Sequence, residues 1–121
     1  MLDNDQLIAV AEVLGFKDVR QANLPSNLPS LLWSAIPPIP DHPDHRILIK
    51  DYLASLDACF ADIVRQMRNA GFCLELYQRG DCSWVAKFDH EKRRSYFVGQ
   101  DPSAPRAIVK AFLIYNNRWI E

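Results

Sequence analysis

The densest set of side chains able to do chemistry is Asp41-His42-Pro43-Asp44-His45. Two imidazoles and two carboxylates within five residues are the ligand types of a divalent-metal site. The histidines straddle a proline, however, and no third histidine lies near in sequence. Asp41 and Asp44 also suit the start of a following helix, where acids stabilise the dipole. The spacing therefore predicts neither a metal site nor a cofactor. No serine sits in a G-x-S-x-G context, and H-E-x-x-H, Walker and G-x-G-x-x-G patterns are absent. His90, between Asp89 and Glu91, reads as a solvated turn histidine rather than a general base. A non-enzymatic protein is expected.

A basic ridge is the stronger candidate. Lys92, Arg93 and Arg94 are consecutive, and Lys87, Arg106 and Lys110 lie in the same half of the chain. Guanidinium groups grip phosphates and carboxylates bidentately. Charge is unevenly spread: residues 1–62 hold nine acids and four bases, and residues 63–121 hold six acids and ten bases. Such asymmetry marks an interaction face, or simply a solvated surface. Trp33, in an apolar stretch, is a candidate exposed aromatic for binding.

These residues must be held by a small domain. The chain has 121 residues, 49% apolar and 24% charged, which suits one globular domain over 1–121. No apolar run approaches a membrane span, and the first twenty residues do not read as a secretory signal. A cytoplasmic protein with reduced thiols is expected, since three cysteines cannot all pair within one chain. The net charge of −1 gives no global attraction to nucleic acid or anionic lipid.

The elements follow from periodicity. An N-terminal helix is expected over Asp3–Gly15 within residues 1–20, capped by Asp3 or Asn4, with Leu7, Ala11 and Leu14 on one face. Residues 24–43 hold six of the eight prolines among Leu24, Leu28, Leu31, Leu32, Trp33, Ile36 and Ile39. They predict an extended apolar strap packed on the domain or on a partner. A long helix is expected over Asp44–Ala70, from Leu48, Tyr52, Leu53, Leu56, Cys59, Phe60, Ile63, Val64 and Met67 at three- and four-residue steps. Two strands follow, joined by the three-residue loop Gly80-Asp81-Cys82 or a longer odd one. That loop sets Leu74 opposite Phe88, Leu76 opposite Ala86 and Glu75 opposite Lys87, and keeps Cys73 away from Cys82. A third strand is expected over Arg94–Val98. Pro102, Ser103 and Pro105 then introduce a helix with Ala107, Ile108, Ala111, Phe112 and Tyr115 on one face. The fold class is α+β: a three-stranded antiparallel sheet with helices packed on it, in the order helix, strap, then an α-β-β-β-α core over 44–118.

The runs KDYLASLDACFADIVRQMRNAGFCLELY, WVAKF, RSYF and SAPRAIVKAFL resemble the phage ABA-sandwich domain family, over about residues 48–115. The matching residues are Tyr52, Leu53, Leu56, Asp57 and Ala58, then Trp84, Ala86 and Phe88, Tyr96, and finally Pro105, Arg106, Ala107 and Ile108. The resemblance implies phage or prophage origin and carries no catalytic signature. It also leaves Asp57 and Arg106, the matched polar positions, as an internal ion pair or ligand contacts. The expected function is a non-enzymatic accessory protein binding a bacterial host protein or defence complex in the host cytoplasm, as anti-CRISPR inhibitors do. An alternative is a nucleic-acid- or nucleotide-binding module using Lys92, Arg93, Arg94, Arg106 and Lys110. The helix–three strands–helix order is also that of double-stranded-RNA-binding domains, a topological likeness only. A further alternative is an oligomeric phage assembly protein. No membrane partner is expected, and monomer and homodimer both stay open.

Overall fold

In a computed structural model the described residues are 1–21, 33–38 and 46–120, with only the backbone of Trp33. They form helix α1 (Asp3–Val13), strands β1 (Lys17–Gln21), β2 (Trp33–Ile36) and β3 (Ile47–Leu48), and a helical rod. The rod comprises α2 (Leu56–Ala58), a π-helical stretch (Cys59–Val64) and α3 (Arg65–Asn69). Strands β4 (Phe72–Gln78), β5 (Trp84–His90) and β6 (Tyr96–Asp101) and helix α4 (Ala104–Tyr115) complete the fold. The class is α+β, with two three-stranded antiparallel sheets, β1-β2-β3 and β4-β5-β6.

The second sheet has the register that the side-chain alternation requires. Leu74 pairs with Phe88, Leu76 with Ala86 and Glu75 with Lys87. The hairpin closes through Arg79 N–H to the Ser83 carbonyl at 2.7 Å and Cys82 N–H to the Arg79 carbonyl at 3.0 Å. Cys82 takes the left-handed position of this three-residue loop, with φ 67°. Cys73 registers with Asp89, far from that turn, and all three cysteines are free. The third strand begins at Tyr96 rather than Arg94, because residues 91–94 form the turn.

Helix α4 is the central layer. Ala107, Ile108, Val109, Ala111, Phe112 and Leu113 are all fully buried, so the helix is covered nearly all round. The second sheet covers one side, while α1 and the π-helical stretch pack elsewhere against it. Gly99 sets the closeness of β6 and α4: a Cβ there would stand 2.2 Å from the Ala107 carbonyl oxygen and 2.6 Å from the Ala111 nitrogen. Only glycine allows that approach. Ser103 occupies the N-cap position of α4 without a capping side-chain bond, and Pro105 lies in the first turn. At the other end Asn117, at φ 57°, takes the left-handed position; Arg118 N–H reaches the Leu113 carbonyl at 2.8 Å and Asn117 N–H the Ile114 carbonyl at 3.1 Å. This is a Schellman stop.

Several expectations change. The helix expected from Asp44 begins at Leu56, since Ile47–Leu48 pairs with β2 and residues 52–54 form a turn. Ser55 is extended, and its hydroxyl accepts the Ala58 N–H at 3.1 Å, an N-cap that starts the helix there. Tyr52 and Leu53 are buried from the turn, so their spacing imitates a helical stripe. The single expected sheet is joined by the β1-β2-β3 sheet. Of the strap, Trp33–Ile36 form β2, Ala35 is fully buried and Pro37 buried, while Pro38 is exposed; 22–32 and 39–45 lie outside the described residues. Helix α1 ends at Val13. Its cap position is Leu2, without a side-chain bond, and it buries Gln6, Ala9, Val10 and Ala11.

Candidate functional site

The residues of the expected ridge separate in space. Lys92, Arg93 and Arg94 are exposed in the β5–β6 turn. His90 organises that turn: its Nδ1 accepts the backbone N–H groups of Lys92 and Arg93, each at 3.1 Å. The Glu91 N–H donates to the Gly71 carbonyl at 3.0 Å, tying the turn to the end of α3. Gly71, at φ 94°, lies against the imidazole; a Cβ there would be 2.8 Å from Nε2. His90 is thus a half-buried acceptor holding the turn, whereas its sequence context suggested a solvated side chain.

Arg106 and Lys110 are occupied elsewhere. Arg106 donates two parallel hydrogen bonds to Asp3, Nη1 to Oδ1 and Nη2 to Oδ2, both 2.8 Å. The guanidinium holds the Asp3 carboxyl below its ordinary range. Arg118 pairs similarly with Glu12 at 2.7 Å. The acidic first half and basic second half are therefore partly spent on each other, docking α1 against the C-terminal region. Asp57, by contrast, is exposed on α2, and Arg106 pairs with Asp3 instead. Lys110 Nζ lies 5.1 Å from the Trp119 ring centroid, a cation–π contact. The Trp33 side chain and the Asp41–His45 cluster lie outside the described residues. Among the described residues no group of three or more His, Cys, Asp or Glu side chains could hold a metal ion.

Two surfaces remain. The first runs along the helical rod. A groove of about 670 Å³ lies between an apolar wall that includes Phe16, Pro37 and Ile47 and a polar wall that includes Asp62, Arg65 and Gln66. A second hollow of about 480 Å³, lined by Lys50, Asp51, Ser55, Asp57, Ala58 and Ala61, shares Lys50 and Ala61 with it. Beneath them, the buried Tyr52 donates its hydroxyl to Asp62 Oδ2 at 2.6 Å, and Lys50 Nζ lies 3.1 Å from the same oxygen. Burial, then the bond to Asp62, drives the Tyr52 phenol far above its ordinary range, so it remains a donor. Burial likewise pushes the neighbouring Cys59 thiol up to about 12. A thiol so suppressed is no nucleophile at neutral pH. Leu48, Leu56 and Phe60, each next in sequence to a residue lining one of the hollows, are exposed.

The second is the face of β4-β5-β6 turned away from α4. Strand alternation puts Cys73, Glu75 and Tyr77, then Val85, Lys87 and Asp89, then Tyr96, Val98 and Gln100 on that face. Tyr77 and Tyr96 are 50% and 61% exposed, too open to be core residues. Lys87 Nζ stands 4.8 Å from the Tyr96 ring centroid. Cys73 donates to Glu91 Oε1 at 3.3 Å, a bond that raises its thiol pKa and quiets it. The signal for this surface was the alternation itself: the residues out of phase with Leu74, Leu76 and Phe88 had to face somewhere other than α4.

The fold places the chain among small α+β domains. No family model, no curated protein and no solved structure matches it. Among the described residues no helix is long and apolar enough to cross a membrane.

Proposed function

We propose that the protein is a non-enzymatic accessory protein of phage or prophage origin that acts by binding a bacterial host protein, with inhibition of a defence complex as its role. Its docking surface is the grooved flank of the helical rod. The observation that carries this reading is a pair of adjoining hollows of about 670 and 480 Å³, with exposed Leu48, Leu56 and Phe60 each next in sequence to a residue that lines one of them. Apolar side chains beside preformed pockets are what a partner's anchor residues require. Leu56 and Phe60 lie one turn apart, and their neighbours Asp57 and Ala61 line the smaller hollow. Phage origin is supported by the sequence resemblance over residues 48–115.

The test is a pull-down from nuclease-treated lysate of bacteria carrying defence systems, using the tagged protein and Phe60→Glu. One host complex retained by the native protein, and reduced at least about tenfold by the variant, is expected for loss of a central anchor. Equal retention by both proteins, or none by the native one, would refute the reading.

A further inference from the structure

We infer that the open face of β4-β5-β6 is a platform for single-stranded nucleic acid, with Tyr77 and Tyr96 stacking on bases and cations at both ends holding the backbone. This goes beyond the proposed protein docking and uses a different surface.

Two exposed aromatic rings on one side of an antiparallel sheet present flat apolar faces, to which any unpaired base can stack. Tyr77 registers with Val85 and Val85 with Gln100, whereas Tyr96 lies four residues earlier on β6. Strand rise and spacing put the two tyrosine positions about 16 Å apart on a diagonal, a span of a few nucleotides. Lys87 lies on β5 between them and already borders the Tyr96 ring.

The charges follow the same diagonal. At the Tyr96 end are Lys92, Arg93 and Arg94, none with an ion pair among the described residues. The two N–H bonds to His90 fix the backbone from which Lys92 and Arg93 project. At the Tyr77 end Arg79 follows by two residues, donates to the neutral Gln100 Oε1 at 3.4 Å, and makes no ion pair among the described residues, although its charge also acts on the nearby Asp81 carboxylate. Glu75 and Asp89 flank Lys87, opposite it in register and 4.0 Å away respectively, which offsets its charge in the middle of the face; at the rims Glu91, bonded to Cys73, stands beside the three cations of residues 92–94, and Asp81 beside Arg79. A stacked strand carries its phosphates outward to such rims. The face is built of strands and presents no helix to enter a groove, which disfavours a duplex.

The probe is fluorescein-labelled oligothymidylate of about 12 nucleotides, followed by anisotropy between about 50 and 200 mM salt. Expected is salt-sensitive binding that Tyr77→Ala and Tyr96→Ala each weaken about tenfold, with the salt slope unchanged. Tyr96→Phe keeps the ring and binds like the native protein. Arg93→Ala with Arg94→Ala lowers the salt slope by roughly 1.4, the value for two phosphate contacts on a single strand. Both tyrosines are exposed, and thermal melts check that the variants fold. No binding at the lowest salt, native-like binding by both alanine variants, or equal affinity for a duplex of the same length would overturn the inference. So would loss of a host protein, but no effect on the oligonucleotide, in the tyrosine variants; the face would then be a protein-docking surface.

Discussion

The two sheets are held by different forces. The β4-β5-β6 sheet and α4 rest on an uninterrupted ladder, a buried apolar layer and one close backbone approach at Gly99. The β1-β2-β3 sheet is short and irregular, with a register shift between Lys17 and Arg20 and only two residue pairs between β2 and β3. It is clasped by side chains. Arg46 donates from Nη2 to the carbonyls of Asp18 at 2.6 Å and Ser34 at 3.0 Å, and from Nη1 to Asp18 Oδ2 at 2.9 Å. Asp18 also pairs with Arg20, and the Arg20 bond, aided by Arg46, brings its carboxyl down to about 2. Local alternation suffices to build the first kind of region. The second kind depends on contacts between residues far apart in sequence.

Substitutions should separate the two modes. Gly99→Ala drives a methyl into α4 backbone and should cost about 3 kcal/mol of global stability, read by urea denaturation. Arg46→Ala should cost about 2 kcal/mol, because it strips several bonds from two strands. Its effect should be local: hydrogen exchange should accelerate over 17–21 and 33–36 while β4-β5-β6 keeps its protection. Uniform acceleration would show that the two sheets unfold as one unit.

Smaller effects refine the picture. Asp3→Asn should cost about 0.5 kcal/mol at neutral pH, since the pair with Arg106 is bidentate but largely exposed. Because Arg106 depresses the folded-state pKa of Asp3, its contribution is present above the ordinary carboxylate range and lost as pH falls through the depressed value. Native and variant stabilities should therefore converge in acid, as thermal melts at several pH values would show. Cys82→Gly should stabilise by about 0.5 kcal/mol, since glycine adopts positive φ without the strain of a Cβ. An unchanged or lower melting temperature would mean that the Cys82 turn carries no such strain.

The same contrast explains what was legible in the sequence. The pairing of Leu74 with Phe88 follows from a two-residue period and a short loop, both local signals. The β1-β2-β3 sheet was not foreseen, because Lys17-Asp18-Val19-Arg20-Gln21 has little apolar alternation and its partner lies beyond residue 32. Leu48, Tyr52 and Leu53 have helical spacing, although the Ser55 cap starts the helix after them. The ridge was half legible: Lys92, Arg93 and Arg94 are exposed together, but only tertiary packing reveals that Asp3 occupies Arg106 and Trp119 faces Lys110. Tyr77 lies out of phase with Leu74 and Leu76, a local signal, whereas placing Tyr96 on the same face needs the register of the third strand and its exposure needs the packing.

The two surfaces proposed above, a grooved flank for a protein and an open sheet for a nucleic-acid strand, are separate, so a single ligand should mark only one of them. The most direct measurement is an amide chemical-shift titration of the isotopically labelled protein with unlabelled oligothymidylate. The proposed separation leads us to expect shifts over β4-β5-β6 and residues 91–95, with the helical rod and residues 46–51 unmoved. Shifts concentrated along the rod, or none anywhere at saturating oligonucleotide, would contradict it.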